Sequence, residues 1–221
     1  GGTPMIQGVI FDMDGLMFDT ERIWVTLWAP AARELGLPAP DAAFAAGARG
    51  LAGENMLRYL RAHYPTVDPQ LLLDTLYRLA GQALANGAPV KPGLYELLDY
   101  LKGAGIPRVV ASSSPREMIR SHLRHAHIEQ YFAGVVSGQD VQHSKPDPAI
   151  FLEAARVLGL PPRDCLVLED SFNGVRAGHA SGAVTVMVPD LDQPTQEIRS
   201  LYNACCKDLL EVRDLLKAGK L

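Results

Sequence analysis

Two pairs of acidic residues directly follow short apolar runs in the sequence. Asp12 and Asp14 follow one run, and Glu169 and Asp170 follow another. Such a run is typical of a buried strand, and its end would present the acids at the edge of a sheet. Carboxylates this close repel each other and lose solvation, so a cation is the natural compensation, and oxygen ligands favour a hard ion such as Mg²⁺. For Asp12 and Asp14 taken alone, a turn capped by aspartate is the competing interpretation.

A hydroxyl cluster and one lysine lie between the two acidic pairs. Ser112 ends another apolar run, and Ser113 follows it just before a helical pattern whose N-terminal amides suit an anion. Within this cluster Ser112 is the better phosphate ligand, and Ser114 is predicted to cap the helix. Lys145 lies in a loop stiffened by prolines. Beside an acidic rim, it is better explained as neutralising a phosphoryl group than as a solvated surface charge.

The elements that would position these residues follow a repeating pattern. Helical periodicity separates most of the apolar runs, which indicates parallel strands joined by helical crossovers. The sequence therefore predicts an α/β fold with a doubly wound, Rossmann-like parallel sheet, in which both acidic pairs reach the same edge. The predicted strands are Val9–Phe11, Arg108–Ala111, Gly134–Val136, Cys165–Leu168 and Val184–Val188.

The interval from residue 20 to about residue 86 breaks this alternation, because it shows only helical periodicity. We interpret it as an all-helical cap inserted over the carboxyl ends of the strands, where open α/β sheets bind ligands. The predicted division is an α/β core of residues 1–18 and 88–221, with a cap domain of residues 19–87. Trp24 and Trp28 share a helical face of this cap. We expect them in its core, although Trp24 could face the cleft.

Composition narrows the function classes. The chain has 221 residues, a formal net charge of −4 and 48% hydrophobic residues, which is ordinary for a globular protein. This charge gives no electrostatic reason to expect nucleic acid or an anionic membrane as a partner. Its three cysteines have no metal-ligand spacing and favour a reducing compartment. With no apolar run of membrane length and no leader pattern, we expect a cytoplasmic protein. The oligomeric state stays open.

The order of these motifs, over nearly the whole chain, resembles the haloacid dehalogenase superfamily. The similar branch contains β-phosphoglucomutase and sugar-phosphate phosphatases, and two segments, Val141–Phe151 and Glu169–Pro189, are similar to pseudouridine-5′-phosphatases. The resemblance implies that Asp12 is a nucleophile that forms an aspartyl-phosphate, and that Asp14 is the general acid/base.

The same resemblance implies the ligands of the metal and of the substrate. Asp12, Asp170 and the backbone carbonyl of Asp14 would hold Mg²⁺, with Glu169 assisting. Phosphate-binding residues would be Ser112, Ser113 and Lys145. An acid/base must change protonation state, so it should not be a full metal ligand, and Asp14 meets that need better than Asp12 does.

Two departures from the family pattern bear on the reaction. β-Phosphoglucomutases carry a histidine about where Trp24 falls, and an arginine in the cap loop where Arg49–Gly53 has a glycine. A mutase needs cationic cap contacts to hold a bisphosphate, so the loss of these two cationic residues favours hydrolysis. Arg49, in the same loop, is predicted to contact the substrate. The sequence therefore predicts a Mg²⁺-dependent phosphatase for a small phosphomonoester, either a sugar phosphate or a nucleotide-like one.

Three other functions share part of this pattern. A sugar phosphomutase is the alternative within the same fold. A receiver-like phospho-accepting domain would share the sheet, the aspartate and the lysine, but it would lack the helical insertion and the second acid at Asp14. A haloalkanoate dehalogenase requires neither Asp14 nor a metal, so the complete acidic motif counts against it.

Overall fold

A computed structural model describes residues 6–221, and its centre is a six-stranded sheet in which every pairing is parallel. The strands are β1 (Gly8–Phe11), β2 (Arg108–Ser112), β3 (Val135–Ser137), β4 (Cys165–Glu169), β5 (Val184–Met187) and β6 (Ala204–Cys205), in the spatial order β3-β2-β1-β4-β5-β6. This confirms the predicted α/β fold with a parallel sheet. The first five strands match the predicted runs closely, whereas the sixth was not predicted.

Four helices occupy the interval between β1 and the rest of the sheet. They are α1 (Glu21–Glu34), α2 (Ala42–Ala48), α3 (Gly53–His63) and α4 (Pro69–Ala83). Their apolar faces form a core of their own, in which the rings of Trp28 and Phe44 meet edge to face at 5.1 Å. Asp41 and Asp68 cap two of these helices through side-chain oxygens. The predicted helical insertion is therefore present.

Six further helices accompany the sheet: α5 (Leu94–Gly103), α6 (Arg116–His125), α7 (Ala149–Leu158), α8 (Phe172–Ser181), α9 (Gln196–Arg199) and α10 (Leu209–Lys217). Side chains of β1 alternate between two apolar clusters, one on each face of the sheet. Val9 and Phe11 belong to the cluster that includes residues of α5, α6 and α10. Ile10 belongs to the cluster that includes residues of α7 and α8. Burial on both faces explains why the strands read as continuous apolar runs. None of the helices formed by residues 6–221 combines the length and the apolar composition that a bilayer crossing requires.

Candidate active site

The turn after β1 brings the two acidic pairs together. The backbone N–H of Asp12 donates to the carbonyl of Leu168 (3.1 Å), which joins the end of β1 to β4. Gly15 has a φ of 82°, and a β-carbon at this position would overlap the carboxylate of Asp170. Glycine is therefore required here both for the backbone conformation and for the close approach of Asp170.

The buried acids form a cluster that suits a metal ion. Asp12, Glu169 and Asp170 each offer a carboxylate oxygen, and these atoms lie within 4.8 Å of one another. Burial raises the pKa of Asp170 well above its ordinary value, and the carboxylates of Asp12 and Glu169 raise it further. The negative charge of these three carboxylates therefore exceeds the positive charge of the nearby Lys145. An all-oxygen donor set with excess negative charge fits a hard divalent cation.

Lys145 is the cation inside this cluster. Its Nζ donates to Asp12 Oδ1 (3.2 Å) and to Glu169 Oε1 (2.9 Å), and only 6% of its side chain is exposed. Burial by itself would lower the pKa of Lys145, but the two carboxylates outweigh it and raise the pKa above its usual value. The ammonium group therefore stays charged, next to the oxygen of Asp12.

Glu169 holds this lysine in place. Its Oε1 accepts from Lys145, and its Oε2 accepts from the Ser171 hydroxyl at 3.2 Å. A β-carbon at Gly174 would overlap the Glu169 carboxylate, so the start of α8 packs directly against it. The hydroxyl of Ser171 also accepts from the backbone N–H of Gly174 (3.0 Å) and caps that helix.

Asp14 is held by three donors from two parts of the chain. The hydroxyl of Thr20 (2.6 Å) and the indole N–H of Trp24 (3.4 Å) donate to Oδ1, and the hydroxyl of Ser114 (2.8 Å) donates to Oδ2. Trp24 therefore faces the cleft. The prediction that Ser114 caps α6 was wrong, because that helix begins without a side-chain cap and the hydroxyl reaches Asp14 instead. These hydrogen bonds fix the orientation of the Asp14 carboxylate.

The serines at the end of β2 complete the wall opposite the acids. Ser112 is buried, and its Oγ accepts from the backbone N–H of Ser114 (3.1 Å), while Ser113 is half-buried. A cleft of about 110 Å³ separates the sheet edge from α1, α2 and α4. All the residues predicted from the sequence to act in the site line this cleft: Asp12, Asp14, Arg49, Ser112, Ser113, Lys145, Glu169 and Asp170.

Arg49 differs from the others because its charge is already engaged. Its Nε and Nη2 donate to the two carboxylate oxygens of Asp192, at 3.0 and 2.7 Å. This two-point pair raises the pKa of Arg49. Arg49 lies on the cap side of the cleft, but its guanidinium group is directed to Asp192.

Sequence reasoning missed several residues that line the cleft, among them Glu21 and Tyr77. Glu21, in the first turn of α1, is half-buried, and burial followed by the charges of Asp14 and Asp12 raises its pKa well above the ordinary value. Tyr77 of α4 packs edge to face against Trp24 at 5.2 Å. Glu21 lies three residues before Trp24 on one helical face, and this spacing could have revealed it.

The chain is similar in sequence to known hydrolases. A model of the haloacid dehalogenase-like hydrolases matches residues 6–182. The probable pseudouridine-5′-phosphatase of Drosophila melanogaster is 34% identical over 187 residues, which cover 82% of this chain and 80% of that protein. Hexitol phosphatase B of Escherichia coli strain K12 is 28% identical over 219 residues, covering 94% and 99%.

Solved structures show the same fold. CbbY from Rhodobacter sphaeroides, in complex with phosphate, has a TM-score of 0.82 at 24% identity and covers 94% of this chain and 96% of its own. A β-phosphoglucomutase from Clostridium difficile has a TM-score of 0.81 at 21% identity, covering 97% and 99%. The sequence prediction of a phosphatase is confirmed by the similar phosphatases. The chain belongs to the haloacid dehalogenase-like hydrolase family.

Proposed function

We propose that the protein hydrolyses a small phosphomonoester, with Mg²⁺ as its metal and Asp12 as the nucleophile. The observation that carries this proposal is the environment of Asp12. Its carboxylate lies beside the charged ammonium of Lys145 and within a cluster of acids that suits a divalent cation. Phosphoryl transfer needs mainly positioning and charge neutralisation, and this arrangement offers both.

The metal would be held by Asp12, Asp170 and the backbone carbonyl of Asp14, with Glu169 assisting. Bound Mg²⁺ supplies neutralisation of the charge on the phosphoryl oxygens. Ser112 and Ser113 bind the phosphoryl group from the opposite wall, and Lys145 neutralises it from within the cluster. Both oxygens of Glu169 already accept hydrogen bonds, so its larger contribution is to orient Lys145.

In the first step, a carboxylate oxygen of Asp12 attacks phosphorus and the bond between phosphorus and the ester oxygen breaks. Asp14, in its protonated form, gives its proton to the departing oxygen, which leaves as an alcohol. The products of this step are an aspartyl-phosphate on Asp12 and an Asp14 carboxylate.

In the second step, the Asp14 carboxylate removes a proton from water, and the water oxygen attacks the same phosphorus. The bond between phosphorus and the Asp12 oxygen breaks, and inorganic phosphate is released. The hydrogen bonds from Thr20, Trp24 and Ser114 hold the Asp14 side chain in one orientation at the cleft. Asp14 ends the cycle protonated and ready for the next substrate.

Replacing Asp12 by asparagine tests this proposal. With phenyl phosphate and Mg²⁺, we expect kcat to fall by at least about 1000-fold, since the nucleophile is lost. Asp214→Asn is the matched control, because Asp214 is an exposed aspartate whose side chain is 62% accessible. Circular dichroism and the melting temperature check that both variants fold. An Asp12→Asn enzyme that keeps more than about a tenth of the wild-type kcat contradicts the proposal.

A further inference from the structure

The cap side of the cleft, where the leaving group of the substrate must lie, is mainly apolar. Phosphorus is bound at the sheet edge, so the alcohol portion extends toward α1 and α4. There the cleft is lined by Trp24, Leu73, Leu76 and Tyr77. Such a surface favours a partner that also has an apolar or aromatic face.

Electrostatics at this end are unfavourable for a second anion. Within the described residues that line the cleft, five carboxyl groups face two cationic side chains. One of the cations, Lys145, belongs to the phosphoryl site, where it bonds Asp12 and Glu169. The other, Arg49, is bound at two points by Asp192. A divalent metal would serve the phosphoryl end, so no cation among these residues is left for the leaving group.

Glu21 adds to this effect. It lies in the first turn of α1, at the boundary between the acidic cluster and the apolar wall. A second phosphate or a carboxylate on the leaving group would meet this acid without a compensating cation. Burying an anion in this cleft without a cation to compensate it is strongly disfavoured, because the lost solvation is not replaced.

We infer that the protein selects phosphomonoesters of uncharged alcohols with an apolar or aromatic face, and rejects esters whose leaving group carries a second anion. This rests on the proposed function. The Arg49–Asp192 pair is part of the selection. Among the described residues that line the cleft, Arg49 is the one cation on the cap side, and Asp192 holds its charge. Bisphosphates and phosphorylated carboxylic acids are therefore poor substrates.

Two aryl phosphates of nearly equal shape test the inference. They are 4-carboxyphenyl phosphate, which carries a second anion, and its methyl ester, 4-(methoxycarbonyl)phenyl phosphate, which does not. We expect kcat/KM of the wild-type enzyme, with saturating Mg²⁺, to be at least about tenfold higher for the methyl ester. Equal values for the two esters overturn the inference.

Asp192→Asn releases Arg49 and provides the decisive variant. We expect the ratio of the two kcat/KM values to fall by at least about threefold, mostly through a lower KM for the carboxylate substrate. Glu197→Gln is the matched control, since it removes the acid of the two-point pair with Arg176 and does not line the cleft. Its ratio should equal that of the wild type.

A second variant covers the case in which Asp192→Asn does not fold. Val25 lines the cleft and is 37% exposed, so Val25→Lys adds a cation with little strain. We expect it to shift the ratio in the same direction, and a ratio that neither variant changes overturns the inference. Different results contradict the two proposals. If both esters are turned over equally and the turnover depends on Asp12, only the inferred selectivity is contradicted. If the turnover does not depend on Asp12, the proposed function is contradicted as well.

Discussion

Replacing Asp170 by asparagine should change the stability of the protein in opposite directions with and without a metal. Asp170 is buried against Asp12 and Glu169, and burial together with these two acids raises its pKa. Asparagine keeps the size of the side chain and so fits beside Gly15, where there is no room for a larger group. The variant therefore removes one uncompensated charge with little change in packing.

The size of the effect follows from the geometry. Two unit charges 4.8 Å apart, the upper limit for atoms of this cluster, repel by about 3.5 kcal/mol at an effective dielectric constant near 20. Lys145 and partial protonation of the acids offset part of this repulsion. We expect metal-free Asp170→Asn to be more stable than the wild type by about 1–3 kcal/mol, which corresponds to a melting temperature roughly 2–12 °C higher.

Added Mg²⁺ should reverse the order. At a concentration of about 100 times Kd, the wild type gains about 2.7 kcal/mol, whereas the variant lacks one metal ligand and should gain much less. The assay is thermal unfolding in EDTA and over a Mg²⁺ titration, with Asp214→Asn as the control for loss of an exposed acid. A variant that is less stable than the wild type in EDTA, or that gains as much from Mg²⁺, would refute this reasoning.

Two further predictions concern residues outside the acidic cluster. Trp24→Phe removes one donor from Asp14 and keeps an aromatic ring. At 3.4 Å this hydrogen bond is long and contributes about 0.5–1.5 kcal/mol, so kcat should fall about 2- to 12-fold with little change in KM. An unchanged kcat in steady-state assays would contradict this role. His122 is buried against Phe18, neither of its ring nitrogens has a partner within the described residues, and burial lowers its pKa. Below about pH 6.5, the unfolded state therefore binds more protons at this histidine than the folded state does. The free energy of unfolding should fall there by up to about 1.4 kcal/mol for each pH unit. In urea unfolding with Mg²⁺ present, His122→Phe should lose less stability than the wild type between pH 6.5 and 5, and parallel losses would refute the assignment.

The sheet and most of the site could be predicted from the sequence because both depend on local patterns. Strands buried on both faces must be apolar along their whole length, so the first five strands appear as apolar runs. The acids, serines and lysine follow such runs or precede helices, and parallel strands bring them to the same edge. The sixth strand, Ala204–Cys205, is a two-residue edge strand and has no apolar run to reveal it.

The contacts between residues far apart in the sequence could not be predicted in the same way. Ser114 bonds Asp14 across 100 positions of sequence, and Arg49 bonds Asp192 across 143. A serine before a helix is usually its cap, and a lone arginine in a cap loop looks like a substrate ligand, so local patterns pointed to other roles. Only the packing of α1 and the loop after β2 around the acid shows which donors Asp14 receives.

The aspartyl-phosphate on Asp12 is the central claim, and trapping it is the most direct test. Asp14→Asn removes the base that activates water but keeps the nucleophile, and 4-nitrophenyl phosphate has a leaving group that departs without an acid. After a rapid acid quench, mass spectrometry of the Asp14→Asn enzyme should find one added phosphoryl group on the peptide that contains Asp12. The double variant with Asp12→Asn should carry none. A phosphoryl group on another residue, or none on the Asp14→Asn enzyme while phosphate is still released, would contradict the account.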